Sequence, residues 1–326
     1  MAILCLARFE KNIISSNLKI LNFKYLIKFL LNRNVILVLA VILGFTFDNL
    51  AFHLKNFVVL LLALVMTFSM AGIETHSFLP LKNSLKPLLM GIILNYLVFG
   101  FLLIGLTYLL TSNTDYINGF IIIAAAPPGV AIIPFTNILK GNTEYSIIGV
   151  MGAFLASIFI APLLISLFSG HSTIDPLSLF YFMVKLIIIP FFLSRLLLIK
   201  KIRKTAVRLK GRIVDIGFAV IIYTVVGLNK NILLQSELNL IKIILILFLS
   251  IFIFGTLYEF IARSIKIPRD KVISQTLLVT IKSSGFSAVS ALALFNEQAA
   301  IPSALLAIFV LLYLLFLSFR EELNLL

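Results

Sequence analysis

The sequence has no tryptophan, a single cysteine (Cys5) and only 13 aspartates and glutamates in 326 residues. One cysteine excludes an intramolecular disulfide and a cysteine metal site. The three histidines, His53, His76 and His171, are too scattered for a metal-ligand set or a nucleophile–His pair. No enzyme chemistry, cofactor or metal centre is therefore expected. Charge is scarce as well. Charged residues make up 12% of the chain and hydrophobic ones 61%, where soluble domains run at about 25% and about 45–50%. That balance excludes a soluble globular domain and points to an all-α polytopic membrane protein. The formal net charge of +14 is not read as a nucleic-acid footprint. In a chain this apolar, lysine and arginine collect in cytoplasmic loops, so lipids rather than nucleic acid are the expected surroundings.

Ten apolar spans can be marked: Val35–Leu50, Phe57–Ile73, Pro87–Leu110, Ile117–Leu139, Tyr145–Phe168, Leu177–Leu198, Ile213–Leu234, Leu240–Ile261, Val272–Phe295 and Pro302–Phe319. Residues 1–34 mix Arg8, Lys11, Lys19, Lys24, Lys28 and Arg33 with apolar residues and lack a small-residue cleavage site. They read as an interfacial cytoplasmic arm rather than a secretory signal. With the N-terminus inside, 22 of the 27 basic residues fall on the inner side and 3 outside, with Lys185 and Lys282 inside spans. This bias predicts a multi-pass protein of the inner or plasma membrane with both termini in the cytoplasm. A basic cytoplasmic loop at 200–212 divides the chain into a first half at 35–169 and a second at 170–326, of five spans each.

Two spans are interrupted. In the fourth, Pro127-Pro128-Gly129 removes two backbone donors and pushes each preceding residue out of the α region. In the ninth, Lys282-Ser283-Ser284-Gly285 occupies the centre of an apolar stretch. A lysine at mid-membrane depth costs about 2.5–3.5 kcal/mol on insertion scales. Each break lies in the fourth span of its half, and five is odd, so the halves insert with opposite orientation. Broken spans at matching positions of inverted halves are the pointer to a secondary transporter, with helices 4 and 9 crossing at the midplane around its site. The predicted breaks are Pro127, Pro128 and Gly129 in one span and Gly285 in the other.

Three stretches resemble the bile acid:sodium symporter family. They are Ala126-Pro127-Pro128-Gly129 with Lys140-Gly141-Asn142, then Glu259 and Arg263 with Pro268-Arg269-Asp270-Lys271, then Ala291–Phe295 with Ala299–Leu305. Arsenite exporters and auxin efflux carriers share that fold. Arsenite exporters of this type use a membrane cysteine near the fourth-span break, where this chain has Ala126. The resemblance implies ten helices in two inverted five-helix repeats and a sodium-coupled organic-anion transporter. The chain departs from the family at the sodium ligands. Aligned on Gly285, the family's Glu, Gln and Asn of the ninth span fall on Leu278, Lys282 and Ser283. Its Ser-Asn pair of the fourth span falls on Ile132-Ile133, and its third-span Gln falls on Asn95.

The expected site is therefore Lys282 with Ser283, Ser284, Ser287, Asn95 and Gly129, and more weakly Thr67. Lys282 sits too deep to snorkel as Lys185 can, and its ammonium is expected to fill the space of a sodium ion and to hold the crossing against the C-terminal half-helix ends and Asn95. Half-helix N-terminal ends near Gly129 and Gly285 add positive charge. No mid-span carboxylate accompanies them. The favoured partner is a small organic anion, with protons as a coupling ion, since burial makes a lysine's proton labile. The rival readings are a cation/proton antiporter of related fold and a non-transporting membrane sensor or scaffold.

Overall fold

The structure is a computed structural model that describes residues 33–71, 81–129, 131–169, 176–231 and 237–323. The arm expected at 1–34 lies almost entirely outside the described residues. The described chain is helical: α1 (Arg33–Thr46); α2 (Asn49–Met70), with a 3-10 turn at Lys55–Phe57; α3 (Leu81–Ile92, passing through a π-turn at Ile93–Val98 into Phe99–Leu110); α4 (Thr114–Ala125); α5 (Ile132–Ile138); α6 (Thr143–Phe168). There follow α7 (Pro176–Leu196); α8 (Lys200–Leu228); α9 (Glu237–Phe248, through a π-turn at Leu249–Ile253 into Phe254–Ser264); α10 (Arg269–Thr280); α11 (Ser284–Leu294); and α12 (Ile301–Glu322). Six helices among the described residues are long and apolar enough to cross a membrane, and three shorter ones, Val35–Thr46, Thr114–Ala125 and Ser284–Leu294, are apolar.

Local chemistry sets the helix starts. Asn113 caps α4 by accepting from the Asp115 and Tyr116 N–H groups, and Asn142 caps α6 by accepting from Tyr145 N–H. Asn142 also ties the start of α6 to that of α10. Its side chain donates to Asp270 at 2.9 Å and its carbonyl accepts from Ser274 Oγ at 2.9 Å.

Two expectations need correction. Residues 200–212 are not a loop; they form the first turns of α8. Lys, Arg, Leu and Ala are good helix formers, the stretch has no proline, and its glycine, Gly211, faces open space. Gly285 is not at a break. It lies in the first turn of α11, where a Cβ would stand 2.2 Å from the Phe218 ring of α8. Its small size serves helix packing, and the interruption falls just before it.

Helices α1, α2, α7 and α8 pack on one another. In the rest of the molecule α3, α6, α11 and α12 pack on α4, while α9 packs on α3, α10 and α12 and α10 packs on α6; across the seam between the groups α7 meets α6, and α8 meets α11 and α12. At the end bearing the α9–α10 turn, two carboxylates are each held by two cations. Glu259 pairs with Arg263 at 2.5 Å and Arg320 at 3.0 Å; Glu321 pairs with Arg269 at 2.6 Å and Lys140 at 2.9 Å. Both glutamates are buried, where an unpaired charge would be costly.

In the group around α4 and α11, one close backbone approach lies between α3 and α6. A Cβ on Gly91 would sit 2.3 Å from the Gly149 carbonyl oxygen. Without a water-driven force between apolar helices, such close contacts are a main source of association. Gly91→Ala is expected to push α3 from α6 and cost about 1–3 kcal/mol, read as a lower unfolding midpoint in detergent. Gly105→Ala, on the same helix but with open space around it, should leave the midpoint unchanged.

Candidate functional site

The chain leaves helical geometry at two places that lie side by side. Helix α4 ends at Ala125, and Ala126 is extended at φ −63° and ψ 146°, as the following proline demands. Helix α10 ends at Thr280, and Ile281 is extended at φ −94° and ψ 103°. The two segments then run antiparallel. Gly129 N–H donates to the Ile281 carbonyl and Ser283 N–H to the Pro127 carbonyl, both at 3.0 Å. Pro128 and Lys282 face each other in this bridge. A Cβ at Gly129 would be only 3.2 Å from the Lys282 carbonyl oxygen, so glycine permits the approach.

The Lys282 side chain is buried, and its ammonium makes three bonds to main-chain oxygens: Ala124 at 2.8 Å, Asn95 at 2.9 Å and Ala126 at 3.0 Å. Each acceptor has a structural reason to be available. In a continuous helix the Ala124 carbonyl would bond the N–H four residues on, but that residue is Pro128, which has none. Ala126 is the extended residue at the helix end. The Asn95 carbonyl would bond Phe99 N–H, but in the π-turn Phe99 N–H donates to Leu94 instead. That one-residue shift of the ladder frees the Asn95 oxygen. The ring faces of Tyr96 and Phe99 lie 4.8 and 5.6 Å from the ammonium, within cation–π reach. The two C-terminal carbonyls of α4 also carry its partial negative charge. Charge-assisted bonds contribute about 1.5–3 kcal/mol each, so three of them outweigh the roughly 2.5–3.5 kcal/mol insertion cost.

The other expected residues are distributed around this centre. Asn95 donates from its side-chain amide to the Ala126 carbonyl at 3.3 Å. Ser283 holds the N-cap position of α11 without a side-chain capping bond and Ser284 begins the helix; with Gly129, Leu37, Phe218 and Val310 they line a cavity of about 30 Å3. The Ser283 hydroxyl is buried without a partner among the described residues. Ser287 spends its hydroxyl on the Ser284 carbonyl at 3.0 Å, and Thr67 on the Ala63 carbonyl of its own helix at 2.7 Å, so neither bonds the ammonium. Lys185 is exposed on α7. Leu278 packs against Gly149, and Ile132 is fully buried among apolar side chains. The π-turn went unread in the sequence. A π-turn adds one residue to the helix ladder without needing any particular side chain.

Residues 59–236 match the family described as the Sodium Bile acid symporter family. A Bacillus subtilis protein named an uncharacterized sodium-dependent transporter, YocS, is 27% identical over 274 residues, 82% of this chain and 83% of that protein. A rice protein named a probable sodium/metabolite cotransporter, BASS1, chloroplastic, is 29% identical over 141 residues, 42% of this chain and 33% of that protein.

Of the three carbonyls, Lys282→Met leaves those of Ala124 and Asn95 without their donor in an apolar surround, at about 1–3 kcal/mol for each, while Ala126 keeps the Asn95 amide. The unfolding midpoint of Lys282→Met in detergent should fall well below that of Lys282→Gln, whose amide can still donate to two of them. Equal midpoints for the two variants would mean that the carbonyls do not depend on the side chain.

Proposed function

The chain belongs to the sodium bile acid symporter family, and from that premise we propose that it is a secondary transporter of a small organic anion that works without sodium, the Lys282 ammonium standing in the ion's place. It is a multi-pass membrane protein and its family transports small solutes. The observation that carries the finer reading is the three-carbonyl shell around Lys282. A hard cation seeks oxygen ligands; here an ammonium already uses them, and a second cation nearby would be repelled at low dielectric. The positions that align with the family's ninth-span Glu and fourth-span Ser-Asn pair hold Leu278 and Ile132-Ile133, which offer no side-chain oxygen. The positive charge and the α11 N-terminus beside Ser283 and Ser284 favour an anionic substrate over a cation. The proposed partners are therefore that anion, protons and the surrounding lipid.

The proposed architecture is two inverted five-span repeats, 35–169 and 170–326, with the broken fourth and ninth spans crossing at mid-membrane. The order of elements supports it. Each half has a long helix with a π-turn (α3, α9), then two short helices split by an extended segment (α4 and α5, α10 and α11), then a long helix (α6, α12). The proposal puts both termini in the cytoplasm of a cell-membrane protein, with the basic turns at 200–212 inside, on the basic-residue bias of the sequence.

Two measurements test this. In proteoliposomes, uptake of small carboxylates should be unchanged when choline replaces sodium; a strong sodium requirement would sink the replacement. Lys282→Gln keeps donors for the carbonyls but cannot carry a proton. Flux driven by a pH gradient in the parent and lost in this variant marks the lysine as the proton carrier; flux indifferent to the gradient in both marks a fixed charge. For orientation, in a Cys5→Ser background, a cysteine at Ser112 should react with an impermeant thiol reagent added to intact cells, and one at Thr205 should not. The reverse pattern overturns the topology.

A further inference from the structure

A second cavity, of about 370 Å3, opens between α3, α6 and α10. It does not include the Lys282 ammonium. Gln275, on its wall, precedes Lys282 by about two helical turns. Its mouth carries Lys86, Lys271 and Glu144, all exposed and none with a hydrogen-bond or ion-pair partner among the described residues. Its floor is buried and polar, made of Gln275 and Tyr145.

The hydrogen bonds at the floor have a fixed direction. Tyr258 Oη donates to Gln275 Oε1 at 3.0 Å, and Gln275 Nε2 donates to Tyr145 Oη at 2.9 Å. The amide offers one acceptor and one donor end, so its two bonds leave Tyr145 receiving. The Tyr145 proton then has no acceptor among the described residues, although the side chain is only 5% exposed. A buried hydroxyl proton without an acceptor is costly, and here it adjoins a cavity of a size suited to small molecules. The helices α6 and α10 also begin at this cavity, with Asn142 and Pro268 on its wall; the partial positive charge of their N-terminal ends is offset in part by Glu144 and Asp270 in their first turns.

We propose that this cavity is a second anion site, built for a small dicarboxylate: one carboxylate accepts from the Tyr145 hydroxyl at the floor, and the other lies between Lys86 and Lys271 at the mouth. Glu144 at the rim opposes it and limits its affinity. The site is separate from the crossing and does not depend on transport there, so it is tested by binding alone.

The experiment is calorimetric titration of the full-length protein in detergent with succinate. Saturable binding is expected, weaker for the monomethyl ester. Lys86→Met and Lys271→Met should each weaken succinate about tenfold, the loss of one charge-assisted contact. Tyr145→Phe, which keeps the ring and removes only the hydroxyl, should weaken it as well. Glu144→Gln should tighten it, and Lys282→Gln should leave it unchanged. Absence of saturable binding overturns the proposal. So does weakening by the lysine changes without any by Tyr145→Phe, which would put the ion on the surface rather than in the cavity. Failure of the flux experiments with these titrations intact would count against transport and not against this site.

Discussion

A single ammonium ties together the two places where the helices stop. Lys282 draws the end of α4 and the π-turn of α3 onto the segment between α10 and α11 through three main-chain oxygens. Charge in an apolar interior must be matched nearly completely, and here the match consists of carbonyls that the surrounding irregularities release. The prolines that follow α4 free one, the helix end another, and the π-turn the third. Removing any of these features would leave the ammonium short of a partner. The irregularities of three separate segments are in that sense one structure, and the antiparallel bridge between Pro128 and Lys282 holds them in register.

What the sequence made legible follows from groups whose chemistry is carried by the side chain or by its absence. The apolar spans were legible because hydrocarbon needs long runs of Leu, Ile and Phe. The end of α4 was legible because a proline pair cannot continue a helix. That Lys282 must find acceptors was legible from its distance to either end of its span, and a half-helix C-terminus and Asn95 were the expected partners; that Asn95 offers its main-chain oxygen, released by a π-turn, was not legible. The helical state of 200–212 was missed because a dense basic run was read as a connection, although nothing in it disfavours a helix. Gly285 was misread because small residues serve breaks and close packing equally, and only the position of Phe218 separates the two. Tyr145 and Gln275 were missed because their polar bonds join three helices that are far apart in the chain.

The two groups of helices differ in how they meet polar demand. Around α4 and α11, ion pairs and buried hydrogen bonds join separate elements: Glu321 holds both Arg269 and Lys140, and Asn142 holds both Asp270 and Ser274. Between α1, α2, α7 and α8 the contacts are mostly apolar. One polar tie runs from Arg195 to the Met70 carbonyl at 2.9 Å, and another from Lys230 to Asp48 at 3.0 Å. The group holding Lys282 is thus cross-braced by directional bonds, which favour one arrangement over neighbouring ones. The other group is held by dispersion and shape, which tolerate sliding.

A cation held by backbone oxygens places unusual limits on how the site can drift by mutation. The side chains at 124 and 126 contribute nothing to the bonds, so substitutions there that preserve the fold are silent as far as the ammonium is concerned. The heritable content of the arrangement is concentrated in a lysine codon, a proline pair and the capacity of one helix to take up an extra residue. A lineage could therefore change most of the letters around this centre and keep the charge, or lose the charge through one change at position 282.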